Sequence, residues 1–322
     1  MLDTEPTLGQ RLRGAVWGQF VGDAYCLGCH WIYNLSELDR TFPEGISGFE
    51  IPAEGHYHEG KRSGDATHYG DAALLLLESV VEKKGVDVAD FGSRFTERMA
   101  PPQYTGYVDG ATRGTLENML SFEEGEPGEP FDFQQGADDD QLATATSLAP
   151  VVVLHLHDED LLDLVERVTR VRQNNDRAVG YMKAHALILR ELLLGRDVHS
   201  ALHRAEERIQ HESAIGPEIR RKIQAGMALK PKPTPEATLE LGQSCPLICS
   251  FPSAVHALVR HPESFEEATH AIATAGGDNA GRAALAGSWL GATLGVAAIP
   301  LEWRNGLSAT DRIALCIQQL LD

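Results

Sequence analysis

Residues 276–299 read GGDNAGRAALAGSWLGATLGVAAI, and the fold is read from this stretch. From Asn279 onward it has no period-two alternation, no proline before Pro300 and no charge except Arg282. Glycine or alanine stands at positions 281, 283, 284, 286, 287, 291, 292 and 295. A helix lined with such small residues lets neighbouring backbones come close, so it is expected to be central and surrounded. Asp278, just before it, is a natural N-cap. Gly276 and Gly277 can equally bring the backbone close to a ligand at the positive end of that helix.

Outward from this helix, three-to-four periodicity dominates. Leu8, Leu12, Ala15, Val16, Gln19 and Phe20 mark a first helix ending near residue 21, behind a Thr7–Gln10 capping box. Further helices are predicted near 72–83, 142–155, 159–172, 177–195, 198–211, 253–261, 265–274, 279–297 and 309–321. Strand patterns are scarce. The fold class is therefore all-α, a single compact multi-helix domain over residues 1–322. The segment 84–141, rich in glycine and proline and carrying the acidic stretch around 123–133, reads as a surface loop, with a loop-rich insertion at about 100–140. Prolines also break the pattern over 228–246.

The chain has 322 residues, 43% of them hydrophobic, with 28 Lys and Arg against 47 Asp and Glu, a net charge of −19. That size and composition suit a globular protein with a large core. The charge repels phosphate backbones and anionic lipid, so neither nucleic acid nor membrane is an expected partner. The start, MLDTEPTLGQRL, has no basic and apolar leader, and a cytoplasmic location is expected. Among the five cysteines, Cys26–Cys29–His30 has the spacing of covalent haem attachment. Cys26, Cys29, Cys245 and Cys249 can be written as a loose zinc set, and buried free thiols are the plainer reading.

Polar residues gather at three helix ends. Ser63 to Asp71 places two carboxylates, a hydroxyl, an imidazole and a phenol before an apolar helix, where Asp71 can cap and His68, Tyr69 or Asp71 can enter a pocket. Asp23 falls at the C-terminal end of the first helix, where the dipole disfavours a carboxylate unless something pairs with it. His30 and Trp31 follow, with Tyr33, as a buried histidine beside an aromatic wall. Asp138, Asp139 and Asp140 precede the predicted helix at Leu142. Phosphate loops, dinucleotide fingerprints, G-x-S-x-G and H-E-x-x-H are absent, so no nucleotide cofactor is expected.

In order, Gly22-Asp23, Thr67 to Gly70 and Gly276 to Gly281 resemble the three motifs of the ADP-ribosylglycohydrolase family. The likeness spans about residues 10 to 300. It implies an all-α fold, hydrolysis of the glycosidic bond joining ADP-ribose to an acceptor, and two magnesium ions held by a Thr-Asp-Asp motif and by two late aspartates and a threonine. At those positions this chain keeps Thr67 and Asp278 and has His68, Tyr69, Ala280 and Gly281 in place of the others. A residual magnesium site on Thr67 and Asp278 is the most the sequence allows. Thr67-His68-Tyr69-Gly70-Asp71, His30-Trp31-Ile32-Tyr33 and Gly276 to Asn279, together with Cys245-Pro246 and Phe251 to His256, resemble a divergent branch that includes the lens J-crystallins of jellyfish.

Two functions follow as expectations. One is a glycosidic hydrolase removing ADP-ribose or a related ribosyl group from a small-molecule or ADP-ribosylated substrate. Asp71, Asp278 and His68 are then catalytic, and Asp23, His30, Trp31, Tyr69, Asp139, Asp140 and Asn279 hold the substrate. The alternative is a non-catalytic, crystallin-like protein that keeps an ADP-ribose-shaped cleft.

Overall fold

The computed structural model describes residues 5–123 and 131–322. Among them are sixteen α-helices and no β-strand. The middle of the acidic stretch, residues 124–130, lies outside the described residues. No helix among those described is long and apolar enough to cross a membrane.

Two helices form the axis. α1 (Leu8–Tyr25) starts at Thr7, whose hydroxyl accepts from the Gln10 N–H while the Gln10 side chain accepts from the Thr7 N–H, the capping box expected from sequence. α14 (Asn279–Leu294) begins at the Asp278 cap, and every residue from Asn279 to Ala292 is buried. The two run antiparallel with backbones in contact. A methyl group on Gly14 or Gly18 would lie 2.1 Å from the carbonyl oxygen of Gly291 or Gly287, and one on Gly22 would lie 2.2 Å from that of Ala283. Glycine at every fourth position of α1 thus faces the small residues of α14, which makes α14 central.

Around this pair, α8 (Asp176–Leu193), α12 (Leu247–Arg260) and α13 (Phe265–Ala273) pack on α14, while α3 (His68–Lys83) and α6 (Ala149–Leu154) pack on α1. α8 is pinned to α14 by a wholly buried hydrogen bond, Trp289 Nε1–H to His185 Nδ1 at 2.9 Å. Further out lie α7 (Leu161–Arg172), α9 (Val198–Glu212), α10 (Gly216–Ala228) and α16 (Thr310–Leu321).

Several elements depart from the sequence reading. α4 (Val88–Met99) and α5 (Gly110–Glu123) occupy much of the 84–141 segment read as a loop, with Asp87 capping α4. α11 (Thr234–Leu241) lies within 228–246, and α2 (Leu35–Thr41), α10 and α15 (Leu301–Gly306) were not anticipated. Val88, Phe91, Phe95 and Met99 do give α4 a helical apolar stripe, inside a segment whose glycines and prolines suggest a loop, whereas α2, α11 and α15, of eight residues or fewer, give a weak periodic signal and are decided by packing. No helix starts at Leu142. Residues 142–148 are buried turns, in which Gln173 Oε1 accepts from the Thr144 N–H at 2.8 Å, and α6 follows them with Gln19 Oε1 accepting from its first residue, Ala149, at 3.1 Å. α12 starts at Leu247, ahead of Pro252 rather than after it.

α3 begins at His68, earlier than its apolar run suggests, and Thr67 rather than Asp71 is its cap, accepting from the Tyr69 N–H at 3.1 Å. Asp71 therefore sits in the first turn, where the helix dipole favours a carboxylate.

Candidate functional site

The misplaced carboxylate of α1 has its partner. Asp23, wholly buried, accepts the Thr67 N–H at 2.8 Å on Oδ2 and the Thr67 hydroxyl at 2.5 Å on Oδ1. Burial pushes its carboxyl up to about 6 against the opposing pull of the Thr67 hydrogen bonds. Gly70 lets α3 approach: a methyl there would lie 2.4 Å from Asp23 Oδ2. Asp23 and Thr67 thus set the angle at which α3 enters and aim its first turn, His68 and Tyr69, inward.

A second joint aligns the opposite wall. The Trp31 N–H donates to the Gly277 carbonyl at 2.8 Å, and the Gly277 N–H donates to the Ile32 carbonyl at 2.9 Å. The close approach requires glycine: Gly276 and Gly277 have φ of +65° and +66°, and a methyl on Gly276 would lie 2.5 Å from the Ile32 carbonyl. Trp31 itself is held at φ +62°. Asn279 donates its amide to the Cys29 and Ala273 carbonyls, and the buried Arg282 guanidinium donates to the carbonyls of Gln243 and Gly276.

Between these joints lies a box of rings. His30 packs edge-on to Trp31 and His58, with centroids 4.1 and 5.3 Å apart. His58 lies nearly parallel to Trp31 and His68, both at 5.6 Å. Tyr69 sits 4.0 Å from His68, and Tyr107 is 5.4 Å from it. The Tyr69 hydroxyl donates to Asp278 Oδ2 at 3.0 Å. His30 Nε2 stands 3.6 Å from Asp278 Oδ1, and His68 Nε2 stands 3.4 Å from Asp109 Oδ2. Burial lowers the His30 and His58 imidazoles and raises the Asp278 carboxyl. Despite burial, the desolvation of Asp109 is outweighed by His68, Arg172 and Thr112, and its carboxyl falls well below the usual range.

Beside the box opens a cleft of ≈ 670 Å³, lined by His58, Lys61, Asp71, Tyr104, Tyr107 and Arg312 among others. On Asp71, the Lys61 ammonium at 2.5 Å and the Tyr104 hydroxyl at 2.7 Å both contact Oδ2. Oδ1 has no hydrogen-bond donor among the described residues. Burial, reinforced by the Asp71 charge, pushes the Tyr104 phenol up and keeps it protonated.

The sequence model of the family described as ADP-ribosylglycohydrolase matches residues 4–322. The chain belongs to the ADP-ribosylglycohydrolase family. It is 25% identical to crystallin J1A of Tripedalia cystophora over 96% of each chain, and 23% identical to crystallin J1B of the same animal over 91% of this chain and 90% of that one. A solved structure described as an ADP-ribosylglycohydrolase-related protein complex superposes with a TM-score of 0.75 at 24% identity, covering 97% of each chain.

The residues of this family member do not fit two magnesium ions. The Thr67 hydroxyl is spent on Asp23 and on the Tyr69 N–H. The Tyr69 hydroxyl occupies one oxygen of Asp278, and Ala280 and Gly281 offer no side-chain oxygen. Magnesium favours six oxygens in near-octahedral array, whereas the groups here are imidazole and aromatic rings. Among the described residues no three His, Cys, Asp or Glu side chains converge to hold a metal ion. The cysteines are free, and Cys26 and Cys29 are wholly enclosed in the core, away from any face on which a porphyrin could lie.

The structure gathers Asp23, His30, Trp31, Thr67, His68, Tyr69, Asp278 and Asn279 around the box, and Asp71 in the cleft. Asp139 lies behind Asp109 beside Gly110, accepting from Gln173, and Asp140 is paired with Arg177 of α8 at 3.0 Å; neither lines the cleft. The sequence reading missed His58, Lys61, Tyr104, Tyr107 and Asp109. A visible signal was present in His56-Tyr57-His58-Glu59-Gly60-Lys61, whose density of rings and charge is unusual for a plain loop. Asp109 shows only as the residue before α5, accepting from Thr112 N–H at 2.7 Å.

Proposed function

We propose that this chain is a metal-independent branch of its family, taking a glycosidically linked ribosyl group into the cleft beside α3 and hydrolysing that bond with Asp71 as base. One observation carries the reading. Of the aspartates named from sequence as catalytic, Asp278 is sealed beneath the rings, while Asp71 lines the cleft with one oxygen fixed by Lys61 and Tyr104 and the other free to accept. A water bound at Oδ1 attacks the anomeric carbon and passes its proton to the carboxylate; the acceptor departs with the electron pair of the glycosidic bond and takes up that proton from Asp71, which returns to its carboxylate form. Lys61 supplies fixed positive charge beside the reacting group. His68, enclosed behind the cleft, orients and does not react.

A second reading, binding without turnover, is favoured by the ion pair itself, because it commits the Asp71 carboxylate to Lys61, at 2.5 Å, rather than to a reacting water. The crystallin relatives point the same way. Titration of ADP-ribose with and without magnesium, alongside release of ADP-ribose from an ADP-ribosylated arginine peptide, separates the two. Magnesium-independent binding with turnover abolished in Asp71→Asn is the expected result. Binding without turnover in the parent protein favours the second reading. A requirement for magnesium, or full turnover in Asp71→Asn, refutes the mechanism.

A further inference from the structure

His58 lines the cleft at 2% exposure, yet neither of its ring nitrogens has a hydrogen-bond partner. Buried polar atoms are nearly always satisfied, and those left over call for a ligand, water or ion. The ring is not free to turn toward a protein partner. Its backbone N–H donates to His56 Nδ1 at 3.0 Å, while His56 Nε2–H donates to the His30 carbonyl at 2.7 Å. On its other sides it rests against Trp31, His68 and His30. Of the neighbouring groups, Lys61 and Tyr104 are committed to Asp71 and Arg312 to Glu78. The His30 and His68 ring nitrogens are also without hydrogen-bond partners among the described residues, but they stand 3.6 and 3.4 Å from Asp278 and Asp109 and do not line the cleft, which leaves His58 as the unpartnered imidazole that does.

We infer that His58 is the residue that reads the ligand, hydrogen-bonding the hydroxyl groups of its sugar. This rests on the ribosyl cleft proposed above and names the group that recognises the ribose. Burial keeps the ring uncharged, with His68 and His56 pressing in the same direction. A neutral imidazole offers one donor and one acceptor. A hydroxyl both gives and takes a hydrogen bond and so matches it, whereas a phosphate only accepts and an ammonium only donates. The backbone clamp and the packed rings hold this pair of positions in place before the ligand arrives.

The test is calorimetric titration of ADP-ribose, and of ADP as a probe lacking the distal ribose, into the parent protein, His58→Phe and His58→Gln. The parent protein is expected to prefer ADP-ribose. In His58→Phe that preference should fall by about tenfold, the worth of a lost hydrogen bond or two, with ADP affinity unchanged; His58→Gln, which also gives and takes, should recover part of it. If His58→Phe fails to fold, the ring 15N resonances of His58 in the parent protein decide: they should move with ADP-ribose and not with ADP, and their remaining still overturns the inference. Equal loss of both ligands in His58→Phe means that the ring only packs, and unchanged ADP-ribose binding overturns the inference while leaving the cleft reading intact. If neither ligand binds the parent protein, the cleft reading falls, and this inference with it.

Discussion

Replacing Asp23 by Asn should remove a pH dependence that this carboxylate gives to folding. Asp23 is buried at the junction of α1 and α3, and its two oxygens accept the N–H and hydroxyl of Thr67 at 2.8 and 2.5 Å. Its carboxyl titrates near 6 in the folded protein against an ordinary 3.8, with burial the leading cause. The folded state therefore binds more protons than the unfolded chain between these two values. Stability is fullest in acid and falls as the pH rises from about 4 to about 6. A shift of about 2 units at ~1.4 kcal/mol per unit gives about 3 kcal/mol lost from this group by pH 7. Asn nearly preserves the shape: its carbonyl can accept the Thr67 N–H and its amide can donate to the Thr67 hydroxyl, but it never ionises. Urea unfolding of both proteins at pH 4, 5, 6 and 7 isolates the effect from other titrating groups, because only the difference between the curves is read. The Asn protein should be about equal to the parent at pH 4 and more stable by about 3 kcal/mol at pH 7. A difference that stays constant over this range would show that Asp23 is not held as a strained, half-neutralised acid, and the argument from burial would fail.

Gly18→Ala should cost about 3 kcal/mol or more, because its methyl would lie 2.1 Å from the Gly287 carbonyl oxygen and would force α1 off α14. Gly9→Ala on the same helix meets only the tip of Arg13 and should be neutral or stabilising, by about 1 kcal/mol at most; equal losses in thermal unfolding would refute close backbone packing as the cause. Thr67→Val keeps the shape but deletes both the α3 cap and the hydroxyl donor to Asp23, and should cost about 2–4 kcal/mol in urea unfolding at pH 7. A loss below about 1 kcal/mol would mean that Thr67 only caps.

Much of the architecture was legible in the chain. The small residues of α14 marked it as central, because close backbone approach is a property of residue size, which sequence displays directly; that Gly14, Gly18 and Gly22 of α1 are what meets them came only with the packing. The Thr7 and Asp278 caps are equally local, since each acts within a turn of its own position. The motifs around Asp23, Thr67 and Asp278 marked the walls of the site for the same reason, and the absence of the expected aspartates and threonine at 68, 69, 280 and 281 already argued against two magnesium ions. What occupies their place was not legible. His58 and Asp109 enter the box from loops whose positions depend on how α3 and α5 dock, and no periodic pattern records the meeting of side chains distant in the chain. The start of α3 at His68, which decides whether Asp71 caps a helix or lines a cleft, was set by Asp23 reaching across from α1 to hold Thr67. The sequence by itself determined which residues were able to pack closely and which were able to cap. Only the tertiary structure decided which polar groups were sealed and which met solvent, because desolvation depends on everything that surrounds a group and not on its neighbours along the chain.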